Sequence, residues 1–365
     1  MDVLKRTIAA LLIPFALAFP TVPVQATCSG TWEVVDDGAF SVWLQDIAVA
    51  DPSHAWSVGY RLDADQNEKQ RLLAWNGSAW VNQTPPIPDY TSMLMTVWAV
   101  AADDVWVAGR YQHETTYESA LLAFHWDGVT WSGVPMPAAE APRGSALWAS
   151  GPNDVWLAGT EYLGTRYGGM ILHYDGAAWN RVDVPNPAGQ ERWLWGIHGS
   201  AADDVWAVGS THDLATHSTR PVALHWDGVD WSRVRSDRLG STESTSFKDV
   251  FALDADHAWA VGHKRNGSRF LMQEWNGTHW RNAPLADVEG YGSLEGVSAA
   301  SSAEIYVVGQ AASDPIVLRG NGSSWSPEPL PTGGLSLDSI ATIGDSSWAV
   351  GRTDAHRSFA VTHCA

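Results

Sequence analysis

The chain has 365 residues, 45% of them hydrophobic and 17% charged, with a formal net charge of −19 and a sequence pI near 4.9. Its length and apolar content support a large buried core and exclude disorder over most of the chain. The acidic balance argues against nucleic acid or an anionic membrane surface as a partner and favours neutral or cationic ones.

Taken in chain order, the first 26 residues read as a secretory signal. Lys5 and Arg6 supply the positive region, and the apolar run from Ile8 to Phe19, broken by Pro14, is too short to span a bilayer. Val24-Gln25-Ala26 then sets small residues before a cut ahead of Thr27. The expectation is a signal peptide over 1–26, a single domain over 27–365 and a secreted, extracellular protein. A lipid anchor on Cys28 fits less well, because Gln25 and Thr27 suit that cleavage poorly. No other segment is long and apolar enough for a membrane helix, so no membrane insertion is expected.

Cys28-Ser-Gly-Thr-Trp-Glu-Val-Val35 reads as one isolated strand, and a repeat follows it. Trp56-Ser-Val-Gly59, Trp106-Val-Ala-Gly109, Trp156-Leu-Ala-Gly159, Trp206-Ala-Val-Gly209, Trp259-Ala-Val-Gly262, Tyr306-Val-Val-Gly309 and Trp348-Ala-Val-Gly351 recur at intervals of 42 to 53 residues. Six of these seven strings are followed by a second one, such as Trp126-Asp-Gly-Val-Thr-Trp131 or Trp226-Asp-Gly-Val-Asp-Trp231. Each unit parses into four strands. Strand A is apolar, strand B is the Trp-Ala-Val-Gly run, and strand C ends at an Asp-Gly or Asn-Gly hairpin that strand D follows with its closing Trp. Four short strands per unit of about 48 residues predict a propeller blade, and seven units predict an all-β, seven-bladed β-propeller.

The seventh unit stops at Ser358-Phe-Ala-Val-Thr-His-Cys364, a strand C with no strand D after it. The isolated N-terminal strand supplies the missing one, which closes the ring and removes an exposed edge. That closure brings Cys28 and Cys364 to touching strand ends, and secretion permits a disulfide between them. All 22 tryptophans fall at repeat positions, so most are expected to pack between blades.

These strings resemble those of a group of secreted bacterial propellers with repeated Trp-Ala-Val-Gly and Trp-Asp-Gly-x-x-Trp motifs. Asp127-Gly-Val-Thr-Trp131 and Asn321-Gly-Ser-Ser-Trp325 also look like the Asp-box hairpin of sialidase-type propellers. The resemblance covers residues 28–364 and implies the fold; it implies no single activity, since propellers host lectins, scaffolds, lyases and hydrolases. WD40 and Kelch patterns fit poorly.

Catalytic motifs are missing. Sialidase chemistry needs three arginines gripping a carboxylate, and Arg110, Arg143, Arg192 and Arg352 carry no matching motif. Neither Gly-x-Ser-x-Gly nor His-Glu-x-x-His occurs. His212-Asp213…His217 is the densest metal-like group but has no helix to align it, and a solvated loop explains it better. Capping of the A–B turn explains Asp103-Asp104 and Asp203-Asp204 better than calcium. Asn76, Asn266 and Asn276 match the glycosylation pattern, and because two of the three sit in the obligate hairpin turn the match is read as chance. No catalytic residue, metal or cofactor is assigned.

In an antiparallel meander the B–C and D–A loops share one face, and here those loops are long and variable. Binding is therefore expected on that face. Strand A, with its small residues, is expected to be innermost. The second strand-A position facing the channel is read around the ring as Gln45, Trp98, Trp148, Trp195, Lys248, Glu295 and Asp338. Three adjacent tryptophans beside three charged groups would suit a sugar, whose apolar face stacks on indole while its hydroxyls take hydrogen bonds. The leading expectation is thus a non-catalytic, monomeric carbohydrate-binding module. An extracellular protein-interaction scaffold is the alternative, to be told apart by an exposed apolar patch on the long-loop face. A glycan-active hydrolase or lyase using Glu295 and Asp338 is the third.

Overall fold

The computed structural model describes residues 30–36, 41–65, 67–87, 91–113, 118–236, 244–264, 269–285, 291–355 and 357–364. The expected signal segment, Cys28 and Asn266 lie outside them.

The described residues form strands and turns without helix, in seven four-stranded antiparallel sheets. The first blade contains β2 (Trp43–Asp51), β3 (His54–Leu62), β4 (Glu68–Trp75) and β5 (Trp80–Gln83). The second contains β6 (Thr91–Ala101), β7 (Asp104–Gln112), β8 (Ser119–Trp126) and β9 (Trp131–Gly133). The third runs through β10 (Arg143–Gly151), β11 (Asp154–Tyr162), β12 (Tyr167–Tyr174) and β13 (Trp179–Val182). The fourth runs through β14 (Gln190–Ala201), β15 (Asp204–Asp213), β16 (Thr219–Trp226) and β17 (Trp231–Val234). The fifth has β18 (Thr245–Asp254), β19 (His257–Lys264), β20 (Arg269–Trp275) and β21 (Trp280–Asn282), and the sixth β22 (Gly292–Ser301), β23 (Glu304–Ala311), β24 (Asp314–Gly320) and β25 (Trp325–Pro327). The last blade has β26 (Ser336–Ile343), β27 (Ser346–Arg352) and β28 (Ser358–Cys364), and its fourth strand is β1 (Glu33–Asp36).

The N-terminal strand thus completes the C-terminal blade, as the strand count requires. Glu33 pairs with Thr362 and Val34 with Val361, and the Gly30 N–H donates to the Cys364 carbonyl at 3.2 Å. The innermost strands β2, β6, β10, β14, β18, β22 and β26 each pack on the next around the ring, and β26 returns to β2.

The repeat strings explain the wall between blades. The strand-B indole of one blade meets the strand-D indole of the next nearly edge-on. Trp106 meets Trp179 with centroids 5.8 Å apart, Trp156 meets Trp231 at 5.7 Å, and Trp206 meets Trp280 at 5.0 Å. Trp348 against Trp80 and Tyr306 against Trp32 repeat the arrangement across the ring closure. Edge-to-face rings fill the wedge left by two twisted sheets and add about 0.5–1.5 kcal/mol per pair beyond their buried area. In three successive blades a strand-C histidine lies on the strand-B indole: His125 on Trp106, His173 on Trp156 and His225 on Trp206. Each is held by the aspartate that opens strand B, Asp104 at 2.7 Å, Asp154 at 2.5 Å and Asp204 at 2.6 Å. Asp104 and Asp204 are therefore engaged with strand C, and Asp204 also accepts from the Ser200 hydroxyl across the A–B turn.

The hairpin turns behave as the sequence dictates. Asn76 and Asn276 each accept two backbone N–H groups within their own turn, and Gly77 and Gly277 take positive φ there.

Candidate functional site

Strand A carries the same irregularity in every blade. Its register against strand B slips between Leu44 and Asp46, Leu94 and Thr96, Gly144 and Ala146, and Leu194 and Gly196. It slips again between Phe247 and Asp249, Leu294 and Gly296, and Leu337 and Ser339. The skipped residue is a β-bulge, which leaves one side chain unpaired and re-aims it. The strand-B glycine makes the bulge fit: a Cβ on Gly209 would lie 1.9 Å from the Trp193 carbonyl oxygen. This is the physical role of the glycine in Trp-Ala-Val-Gly.

The seven bulged residues are Gln45, Met95, Ser145, Trp195, Lys248, Glu295 and Asp338. All seven are half-buried and line one cavity of about 360 Å³ at the channel mouth. Trp43 at the start of strand A and Arg352 at the end of strand B also line it, which places the cavity on the long-loop face. Five of the seven predicted residues are therefore brought together: Gln45, Trp195, Lys248, Glu295 and Asp338. Trp98 and Trp148 are corrected. They stand three residues beyond the bulged Met95 and Ser145, level with His198 and Phe251, and form a deeper layer. Trp98 lies 5.4 Å from His198 and Trp148 6.0 Å from it, with Phe251 at 4.2 Å on the same imidazole. Trp148 is buried in the blade-3/blade-4 core. The arc of three tryptophans at the mouth does not exist.

The mouth is instead a mixed-charge ring around two capped indoles. Arg352 covers the Trp43 ring at 3.7 Å, and Tyr60 packs on Trp43 at 5.6 Å. Lys248 Nζ and the Arg143 guanidinium lie 5.5 and 5.7 Å from the Trp195 ring centroid. The carboxylates are also engaged. Asp338 accepts from Trp43 Nε1 at 2.6 Å, and Glu295 lies 3.6 Å from Lys248 Nζ. Burial pushes the Asp338 carboxyl up, against its bond to Trp43, and nearby Glu295 adds to the rise.

Below the ring the inner strands are stitched together by side chains that accept backbone N–H groups of the next blade. Asp46 accepts from Val97, Thr96 Oγ1 from Leu147, Asp249 from Val297 and Ser298 Oγ from Thr342. Asp46 and Asp249 pay in solvation for this role. Burial raises the Asp46 carboxyl and lifts Asp249 to about 7, each opposed by its hydrogen bonds. His198 accepts from the Ala252 N–H at 3.2 Å, and burial drives its imidazole down to about 3, so it is neutral.

Sequence reasoning missed a second surface. On the long loops of the third and fourth blades a chain of rings runs from Tyr162 to Tyr167 (5.4 Å), Trp193 (6.4 Å), His212 (6.4 Å) and His217 (5.9 Å). Leu163, Tyr167 and Leu214 are 42%, 37% and 41% exposed beside it, while Trp193 is half-buried. His212 and His217 belong to this ridge, and the Asp213 between them caps the amides of Ala215 and Thr216 at 3.0 and 2.8 Å. The ridge was visible in the sequence only as aromatic residues at loop boundaries, a pattern that blade 1 shares with Trp43 and Tyr60 and blade 2 with Tyr111.

No protein-family model matches the chain, and no curated protein matches it in sequence. Solved structures do. YCF48 bound to a D1 peptide superposes with a TM-score of 0.60 at 15% identity, over 96% of this chain and 100% of that one. The β-propeller domain of the Trilobed protease from Pyrococcus furiosus gives 0.56 at 10% identity, over 89% and 95%. The chain is a seven-bladed β-propeller. The protease domain has an open velcro topology, whereas here β1 pairs with β28.

Proposed function

We propose that the chain is an exported protein-interaction scaffold that holds an extended segment of a partner protein across its long-loop face. The observation that carries this reading is the run of rings from Tyr162 through exposed Tyr167 and half-buried Trp193 to His217, with exposed Leu163 and Leu214 in the adjoining B–C loops. A contiguous apolar and aromatic strip on a binding face is the feature that separates a protein-docking surface from a solvated one. Rigid aromatic residues are also the side chains that most often dominate such interfaces. The mixed-charge mouth beside it offers hydrogen-bonding and ionic partners to the peptide's polar groups. A propeller of similar fold, YCF48, has been solved with a peptide bound, which supports the reading by likeness of fold alone.

Carbohydrate binding is the weaker reading. It needs a free indole face, and Trp43 is covered by Arg352 while Lys248 and Arg143 flank Trp195. A hydrolase or lyase needs Glu295 and Asp338 free for proton transfer, and they are engaged with Lys248 and Trp43. Export rests on the signal-like residues 1–26, and a Cys28–Cys364 disulfide would lock the closure where Gly30 already bonds to Cys364.

The test is parallel binding of the purified chain to a peptide array and a glycan array. Retention of a subset of peptides is expected, with at least tenfold weaker binding by a Tyr167→Ala/Trp193→Ala double variant that melts like the wild type. Glycan retention lost in Trp195→Ala, without peptide binding, would overturn the scaffold reading in favour of a lectin.

A further inference from the structure

A second cavity, of about 220 Å³, lies under the B–C loop of the fourth blade and shares no lining residue with the channel mouth. Its walls include Gln190, Thr211, Arg220 and Arg233, with Asp213, Thr216 and Ser218 contributed by the end of β15 and the loop. Behind these walls stands Arg192. It follows Gln190 by two positions on β14, so the two side chains share a face of the sheet. Its cross-strand partner on β15 is Thr211, and the partner of Thr211 on β16 is Arg220. Arg192, Thr211 and Arg220 therefore form one transverse row, two members of which line the cavity directly.

Arg192 is 1% exposed, the one lysine or arginine buried to that degree among the described residues. Its Nε and Nη1 have no hydrogen-bond partner, and the Gln190 Oε1 nearby has none either. The charges that reach it are like charges. Burial, helped by the nearby charges of Arg233 and Arg166, pulls its guanidinium down to about 10. Arg166 itself is committed to the carbonyls of Gln190 and Asn186 at 2.8 and 3.1 Å. The single carboxylate in the cavity wall, Asp213, is occupied by the amides of Ala215 and Thr216.

A buried cation without a counter-ion or acceptor is among the costliest arrangements a fold can hold. Three further arginines around it raise that cost in a protein whose overall charge is strongly negative. An oxyanion in the cavity beside Thr211, Arg220 and Arg233 offsets this concentration of positive charge, and the guanidinium fork matches the paired oxygens of a carboxylate, phosphate or sulfate.

We propose that this cavity is an oxyanion-binding site, with Arg192 as its buried ligand and Arg220 and Arg233 at its rim. The site does not depend on the scaffold reading. A free inorganic anion and an acidic or phosphorylated side chain of a partner present the same oxygens to it.

Thermal melts and calorimetric titrations at matched ionic strength test the assignment, with chloride as the reference. The probes are inorganic sulfate and phosphate for the free ion, and a short phosphoserine peptide for an attached group. Wild-type protein should melt several degrees higher in millimolar sulfate or phosphate than in chloride, or bind the phosphopeptide with the same dependence on Arg192. The tighter probe identifies the source. Arg192→Met should weaken anion binding at least tenfold and abolish the rise in melting temperature. In chloride that variant should melt at or above the wild type, because it removes an unpaired buried charge. Arg220→Gln, at the exposed rim, should weaken binding about threefold and leave the chloride melt unchanged. Anion stabilisation equal in wild type and Arg192→Met would overturn the proposal. So would an Arg192→Met protein that melts well below wild type in chloride or fails to fold, since the guanidinium would then already be satisfied.

Discussion

The walls between blades and the mouth of the channel are built from the same repeat, yet they have opposite variability. At the walls one solution recurs: a strand-B ring set edge-on to the strand-D indole of the next blade, as in Trp106–Trp179, Trp156–Trp231 and Trp206–Trp280. At the mouth the seven bulged positions share a backbone and little else: an amide, a thioether, a hydroxyl, an indole, an ammonium and two carboxylates. Packing constrains a wall because any change of volume between two sheets is felt. A bulged residue facing the open cavity at the mouth escapes that constraint. Uniform positions therefore report architecture, and varied ones on a uniform backbone report freedom from it.

The comparison breaks most severely if the ring is opened. Deleting Cys28 to Val35 should destabilise the protein far more than removing eight residues from a long loop. It strips the outer edge of β28, which keeps only its pairing to β27, and removes Trp32 from its contact with Tyr306. Equal melting temperatures for the two deletions would show that β1 does not close the ring. A wall cavity ranks next: Trp156→Ala should cost roughly 3–5 kcal/mol in chemical denaturation, because the side chain is buried against Trp231 and His173. Trp148→Ala should fall in the same class, since Trp148 is a core residue. Gly209→Ala probes the bulge itself. The added methyl meets the Trp193 carbonyl, and an overpacked backbone contact of this kind costs roughly 1–3 kcal/mol or more.

A smaller effect appears in the pH profile. The Asp249 carboxyl is lifted by burial to about 7 from its ordinary 3.8, so the folded state binds a proton that the unfolded chain releases. This group therefore favours folding fully below about pH 4, and its contribution is lost as pH rises towards and through 7. Asp249→Asn, which keeps an acceptor for the Val297 N–H, should flatten the fall in stability between pH 4 and 7. An unchanged slope would mean that Asp249 is ionised in the fold.

Most of the architecture was legible because every blade repeats its strand-B aromatic and glycine, and six of the seven add an Asp-Gly or Asn-Gly hairpin closed by a tryptophan. The strand-count argument for the closure held for the same reason. The mouth was only partly legible, because the bulge shifts the register of strand A. Placing Trp98 and Trp148 in the ring assumed regular alternation, which a bulge interrupts. The signal was present: apolar residues three apart, Leu44 and Ile47, Leu194 and Ile197, Leu294 and Val297, are all buried. A flat strand cannot bury both members of such a pair on one face, so the spacing itself encodes the bulge. The aromatic ridge and the buried Arg192 were not legible, because each depends on loops and blades that meet only in the folded ring.

The most direct measurement is a paired thermal melt of Trp156→Ala and Trp195→Ala, two tryptophans of adjacent blades, one in the wall and one in the mouth. The account predicts that Trp156→Ala melts many degrees below the wild type, while Trp195→Ala stays within a degree or two of it. Equal losses in the two variants would contradict the division between an architectural wall and a mouth that packing does not constrain.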